Sequence, residues 1–127
     1  MTYITEINEN NKLLIVRTTG DLRTKELSEM GVLMRLQAHD FNYKLIFDYR
    51  LSKNYISITE AYYWFSDYYD SVDLKLRQIR AAIISNENDM DFFSFLETTC
   101  TNNNIPIKIF LDEEMALKWL IKNPSIN

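Results

Sequence analysis

Apolar runs of strand length alternate with apolar residues at helical spacing along most of this 127-residue chain, and no other feature narrows the fold so far. "YKLIFDY" at 43–49, "IRAAIIS" at 79–85 and "PIKIFL" at 106–111 are rich in β-branched and aromatic residues and read as strands. Between them, Ile58 to about Tyr69 and "NDMDFFSFLETTC" at 88–100 read as helices, the second stopped by Asn102, Asn103 and Asn104. Pro106 opens its strand, where a missing N–H matters least. Strands joined through one helix each must pair in parallel through crossovers, which are almost always right-handed.

The first segments differ. "YITEI" (3–7) and "LLIVRTT" (13–19), joined by the turn residues "NENN" (8–11), form a β-hairpin. From Thr24 to about Gln37, Leu27, Met30, Leu33, Met34 and Leu36 recur at helical spacing, with Thr24 as N-cap and Glu26 near the positive helix end. The closing helix has a charge order that follows its dipole: Asp112 as cap, Glu113 and Glu114 in the first turn, Lys118 and Lys122 toward the end, Pro124 as stop. Met115, Ala116, Trp119 and Leu120 make its apolar stripe. The expectation is one α/β domain over 1–127: an N-terminal hairpin, then βαβαβα units, giving a mixed, mostly parallel five-stranded sheet with four helices mainly on one face. One sheet face carries Leu45, Phe47, Ile79, Ala81, Ile83, Ile107, Ile109 and Leu111; the other mixes Ile46, Asp48, Arg80, Ala82, Ile84, Lys108 and Phe110. That second face is expected to stay partly open, either as a solvated surface with Asp48, Arg80 and Lys108 clustered or as a surface for self-association.

A chain of this length buries a core without disulfides or a metal, and its 46% hydrophobic and 25% charged residues exclude disorder. The net charge of -4 offers no basic field for nucleic acid or an anionic membrane. Cys100 is the single cysteine, so no intrachain disulfide forms. With no secretory segment at the N-terminus and no long apolar run, a soluble cytoplasmic protein without membrane insertion is expected.

The helix "ITEAYYWFSDYYDSV" is crowded with aromatics. Ile58, Tyr62, Phe65, Tyr69 and Val72 share one face suited to the core, which leaves Tyr63, Trp64 and Tyr68 as candidate interaction residues. In "ENDMD", Glu87, Asp89 and Asp91 resemble the start of a calcium loop, but Phe92 and Thr98 occupy the positions where Gly and Glu are needed, so the run reads as acids at a helix start. His39 stands alone near a helix end, and Cys100 reads as a small buried hydrophobe. No phosphate loop, dinucleotide fingerprint, nucleophile elbow or zinc spacing occurs, so neither enzyme activity, cofactor nor metal is expected.

Element order, "GDL" at 20–22, "LIFDYR" at 45–50 and above all "IKIFLDEEMALKWL" at 107–120 resemble the SpoIIAA-like family of the STAS superfamily, in its STAS/SEC14-like branch. The resemblance implies a non-enzymatic regulatory binding domain. In that family, the anti-sigma factor antagonists are phosphorylated on a Ser at the start of the helix after the third strand, within a small-residue stretch resembling Asp-Ser-Ser-Gly-Leu. Here "SKNYISITEAYY" lacks the Gly and the paired Ser, so Ser57 and Thr59 are weak phosphoacceptor candidates and helix caps otherwise. The expected function is protein interaction through the 50–69 loop and aromatic helix, with an unknown partner or a second copy as a homodimer. The alternatives are a carrier of a lipid or other apolar ligand beneath that helix, or a phosphorylation switch.

Overall fold

All five expected strands form, and their order in the sheet follows their order in the chain. In the computed structural model, which describes residues 1–122 apart from the side chains of Tyr69 and Lys122, they are β1 Thr2–Asn8, β2 Leu13–Leu22, β3 Lys44–Asn54, β4 Ala81–Ile84 and β5 Ile107–Phe110. β1 is antiparallel to β2, and every later pair is parallel. The helices are α1 Thr24–Phe41, α2 Ile58–Ser71, the one-turn α3 Leu74–Arg77, α4 Met90–Asn102 and α5 Glu113–Lys122, with a 3-10 turn at Glu87–Asp89. The stop at Pro124, the core placement of Tyr69 and the Lys122 charge fall outside the described residues.

Several boundaries moved for identifiable reasons. β2 continues through "GDL" because Gly20 takes φ 91, and a Cβ there would lie 3.3 Å from the Met1 backbone. That longer edge gives β3 something to pair with: Leu51 to Asn54 match Thr19 to Leu22, so the loop expected at 50–57 is strand as far as Asn54. The N-cap of α1 is Arg23 and not Thr24, its N–H donating to Glu26 Oε1 at 3.2 Å. Asn42, at φ 61, closes the same helix in the left-handed conformation.

Two apolar layers share the sheet. The larger lies between Leu14, Val16, Leu45, Phe47, Ala81 and Ile83 and the inner faces of α1, α2 and α4, where Met34, Phe65 and Phe93 are buried. The second corrects the expectation of an open face. Leu13, Ile15, Ile46, Ala82 and Ile84 are covered by Ala116 and Leu120, because α5 alone crosses to the opposite side and lays its apolar stripe on them. The solvated cluster of Asp48, Arg80 and Lys108 does not form. Asp48 is buried in ion pairs, the Arg80 guanidinium stacks 4.1 Å from the Trp119 ring, and only Lys108 remains exposed.

Candidate functional site

The inward stripe of α2 is Ala61, Phe65 and Tyr68, spaced by four and three residues and continued by Val72 just past its end, with Trp64 on its flank. The helix is thus rotated from the expected phase, because Ile56, buried just before it, takes the core position assigned to Ile58. Ile58 and Tyr62 point outward, Tyr62 at 65% and Tyr63 at 68% exposed, their rings edge to face at 5.3 Å. Trp64 and Tyr68, placed outside by sequence reasoning, are half-buried and stack on each other at 5.0 Å. Leu51, Tyr55 and Ile58, like the two outer tyrosines, are large side chains left exposed between the end of β3 and the first turns of α2. Tyr55 carries two cations over its ring, Arg23 at 4.5 Å and Lys53 at 5.0 Å.

Ser57 caps α2: its Oγ accepts from the Glu60 N–H at 3.0 Å and its carbonyl from the Ala61 N–H at 2.9 Å. Thr59 lies exposed in the first turn. The chain entering this helix is anchored. Asn54 bonds the Ile56 backbone twice, through Oδ1 at 3.0 Å and Nδ2 at 2.9 Å, and its own N–H donates to Asp89 Oδ2 at 3.3 Å. Asn86 reaches from the loop after β4 to Asp89 and the Ser52 carbonyl. The acids read as a helix start therefore include one, Asp89, that ties two strand ends together.

Behind α2 lies a cavity of about 50 Å³ between α1, α2, α4 and the sheet. Trp64 Nε1 donates to Ser28 Oγ at its edge, and Tyr68 Oη stands 3.5 Å from Arg35 Nη1. Arg35 is only 7% exposed and also donates to the Gly31 carbonyl at 3.3 Å. Gly31 makes this possible, since a Cβ there would meet Tyr68 Oη at 2.7 Å and Arg35 Nη1 at 3.3 Å. Burial raises the pKa of the neighbours: Tyr49 and Tyr68 are pushed up, and the Cys100 thiol is pushed up to about 12. Sequence reasoning missed Arg35 by assigning Leu33 and Leu36 to the inner face of α1, where both are in fact exposed. The signal was present: Leu27, Gly31, Met34, Arg35 and Ala38 form one stripe, with a cation in it.

On the opposite face, Arg17 binds Glu6 of β1, Asp48 of β3 at 2.9 Å and Glu113 of α5 at 2.8 Å, while Arg50 adds a second contact to Asp48 at 2.9 Å. Hydrogen bonds that the Arg17 guanidinium donates to Glu113 and Glu6 hold it charged well above its ordinary range. Burial pushes the Asp48 carboxyl up, but Arg50 and Arg17 outweigh it and leave it below the usual carboxylate value. Lys44 Nζ and Arg80 Nη2 meet the carbonyls of Leu120 and Trp119 at the other end of α5. The contacts to Glu113, Leu120 and Trp119 dock α5, and those to Glu6 and Asp48 hold Arg17 between the strands.

No protein-family model matches the chain, and no curated protein matches it. Among solved structures, it is similar to a DUF3478-family protein of SpoIIAA-like fold from Shewanella loihica PV-4. The identity there is 17% over 94% of this chain and 92% of that one, with a TM-score of 0.55. It is also similar to the anti-sigma factor antagonist SpoIIAA in its unphosphorylated form, with 10% identity over 94% and 97% of the two chains and a TM-score of 0.50. The fold expected from "GDL", "LIFDYR" and the closing strand and helix is therefore the fold observed.

Proposed function

We propose that this SpoIIAA-like domain is a cytoplasmic, non-enzymatic interaction module that contacts a protein partner through the outward face running from the end of β3 into α2. The observation that carries the reading is the exposure of Tyr55, Ile58, Tyr62 and Tyr63, large side chains close in sequence about the start of α2, with the Tyr62 and Tyr63 rings in edge-to-face contact. Tyrosines supply contact area and a polar tip at low entropic cost, and the anchored 54–57 turn holds them on a rigid base. Arg23 and Lys53 beside Tyr55 suit a partner with carboxylates at its rim. Similarity to an anti-sigma factor antagonist fits a protein-binding role. A non-enzymatic role is favoured by Cys100, buried with its thiol held protonated, and by His39, exposed at the far end of α1.

The deciding experiment carries tagged wild-type protein and a Tyr62→Asp/Tyr63→Asp variant through the same native-lysate capture, with light scattering over a range of concentrations alongside. One protein is expected to be retained stoichiometrically by the wild type and at least tenfold less by the variant. Equal recovery by both removes the reading. A concentration-dependent dimer abolished by the same substitutions would make the partner a second copy of this chain.

A second reading, regulation by phosphorylation, is favoured by the exposure of Ser57 at the start of α2, beside the same surface. It expects Ser57→Asp and Ser57→Ala to differ in partner affinity by at least fivefold, and equal affinities exclude it. A lipid carrier is disfavoured, since the cavity behind α2, at about 50 Å³, is far below the ~300 Å³ at which pockets for such ligands begin, and the larger groove of about 590 Å³ beside Tyr62 and Phe65 is open and flanked by Asp67 and Asp70.

A further inference from the structure

Arg35 lies in the interior, and among the described residues no carboxylate pairs with it. It is 93% buried, and no ion pair to it occurs among the described residues; its two hydrogen bonds go to neutral oxygens, the Gly31 carbonyl at 3.3 Å and Tyr68 Oη at 3.5 Å, both long. Its guanidinium sits 5.7 Å from the centre of the Phe47 ring. A buried cation ordinarily has a paired anion, because taking an unpaired charge out of water is strongly unfavourable. The cavity it borders contains no acidic side chain in its lining and holds a second guanidinium, Arg77, whose Nε donates to the Val72 carbonyl at 2.8 Å. The remaining walls are apolar or aromatic, among them Leu27, Phe65 and Leu96.

We propose that this cavity binds a small organic carboxylate, its oxygens on the Arg35 guanidinium and the Tyr68 hydroxyl and its short apolar end against Phe65 and Leu96. Volume sets the size. A cavity of about 50 Å³ admits a few waters or an anion of ~four to six heavy atoms, which is the range from acetate to butyrate and excludes a fatty acid. Wall chemistry sets the class, because a fully hydrated inorganic anion gains nothing from apolar surface whereas an alkyl carboxylate does. A planar guanidinium matches a carboxylate in two-point contact. Gly31 fits the same purpose: a residue unfavourable in the middle of a helix is kept where a methyl group would push Tyr68 Oη away from Arg35. This site is distinct from the outer surface of α2, so it stands or falls apart from the interaction reading.

The test is an NMR titration of the full chain with sodium propionate against sodium chloride at equal ionic strength, following the Trp64 indole N–H and the Arg35 Nε–H. Both lie at the cavity, and Trp64 stacks on Tyr68. Saturable shifts of both signals with propionate, and none with chloride, are expected. Arg35→Met is expected to weaken the apparent affinity at least tenfold, and Tyr68→Phe by about threefold. Absence of saturable shifts in the wild-type protein overturns the proposal without any variant having to fold. Shifts that chloride reproduces, or that Tyr68→Phe and Arg35→Met both leave unchanged, overturn it as well.

Discussion

At the scale of single residues, the sharpest constraint is the contact of Gly31 with Tyr68. Alanine is the better helix former by about 1 kcal/mol, yet Gly31→Ala places a Cβ 2.7 Å from Tyr68 Oη, and overpacking of this kind costs ~1–3 kcal/mol. The substitution is expected to lower stability in urea unfolding, and Tyr68→Phe in the same background, by removing the oxygen, to restore most of the loss. Asp48 sets a pH dependence. Its folded value lies below that of the unfolded chain, so its contribution is complete above the unfolded value of ~3.9 and is lost as pH falls through the folded one. Asp48→Asn should therefore flatten the acid limb of the stability curve and, by weakening charged hydrogen bonds to Arg17 and Arg50, cost about 2 kcal/mol at pH 7. Urea midpoints of the two proteins between about pH 2 and 7 check both statements.

Elements show which parts of this structure were legible beforehand. Strand identity was, because "YKLIFDY" and "IRAAIIS" are dense in β-branched and aromatic side chains, and so was α5, whose acids and lysines follow its dipole. The phase of α2 was not. Six aromatics in two turns make nearly every face apolar, so periodicity cannot choose among them, and the choice falls to Ile56 outside the helix. For α1 the same ambiguity between Leu33 or Leu36 and Gly31 or Arg35 hid the cavity, since a glycine and an arginine do not score as core residues. The interaction candidates divided accordingly: Tyr63 is outside, Trp64 and Tyr68 are turned in, and Tyr62 joins the outer surface. The start of α2 was read correctly as a cap site. Ser57→Ala is expected to cost ~1 kcal/mol and Thr59→Ala less than 0.5, measured by thermal unfolding.

At the scale of the whole molecule, among the described residues, the sheet is what both apolar layers share. Each central strand alternates between them: Leu45 and Phe47 face α1, α2 and α4, while Ile46 faces α5. Neither layer can come apart without exposing a face of β3 and β4, so the two are expected to unfold in one transition. That coupling was hard to read in sequence, because the polar residues Asp48, Arg80 and Lys108 diluted the second face and suggested solvent where α5 lies. The ion pairs from Arg17 to Glu6, Asp48 and Glu113 resolve the difficulty by joining β1, β2, β3 and α5 at the border of that layer. Leu120, fully buried against Ile46 and Ile84, is therefore a test of the whole molecule and not of one helix. Leu120→Ala is expected to destabilise by ~2–5 kcal/mol, as large-to-small changes in a main core do, whereas Leu51→Ala on the open surface stays within about 0.5. In Leu120→Ala carrying Trp119→Phe, which leaves Trp64 of the opposite layer as the one tryptophan, far-UV circular dichroism and tryptophan fluorescence should lose their signals at one shifted urea midpoint. Separate midpoints for the two probes would show that α5 detaches first and that the second layer is an appendage to the fold, not part of its cooperative core.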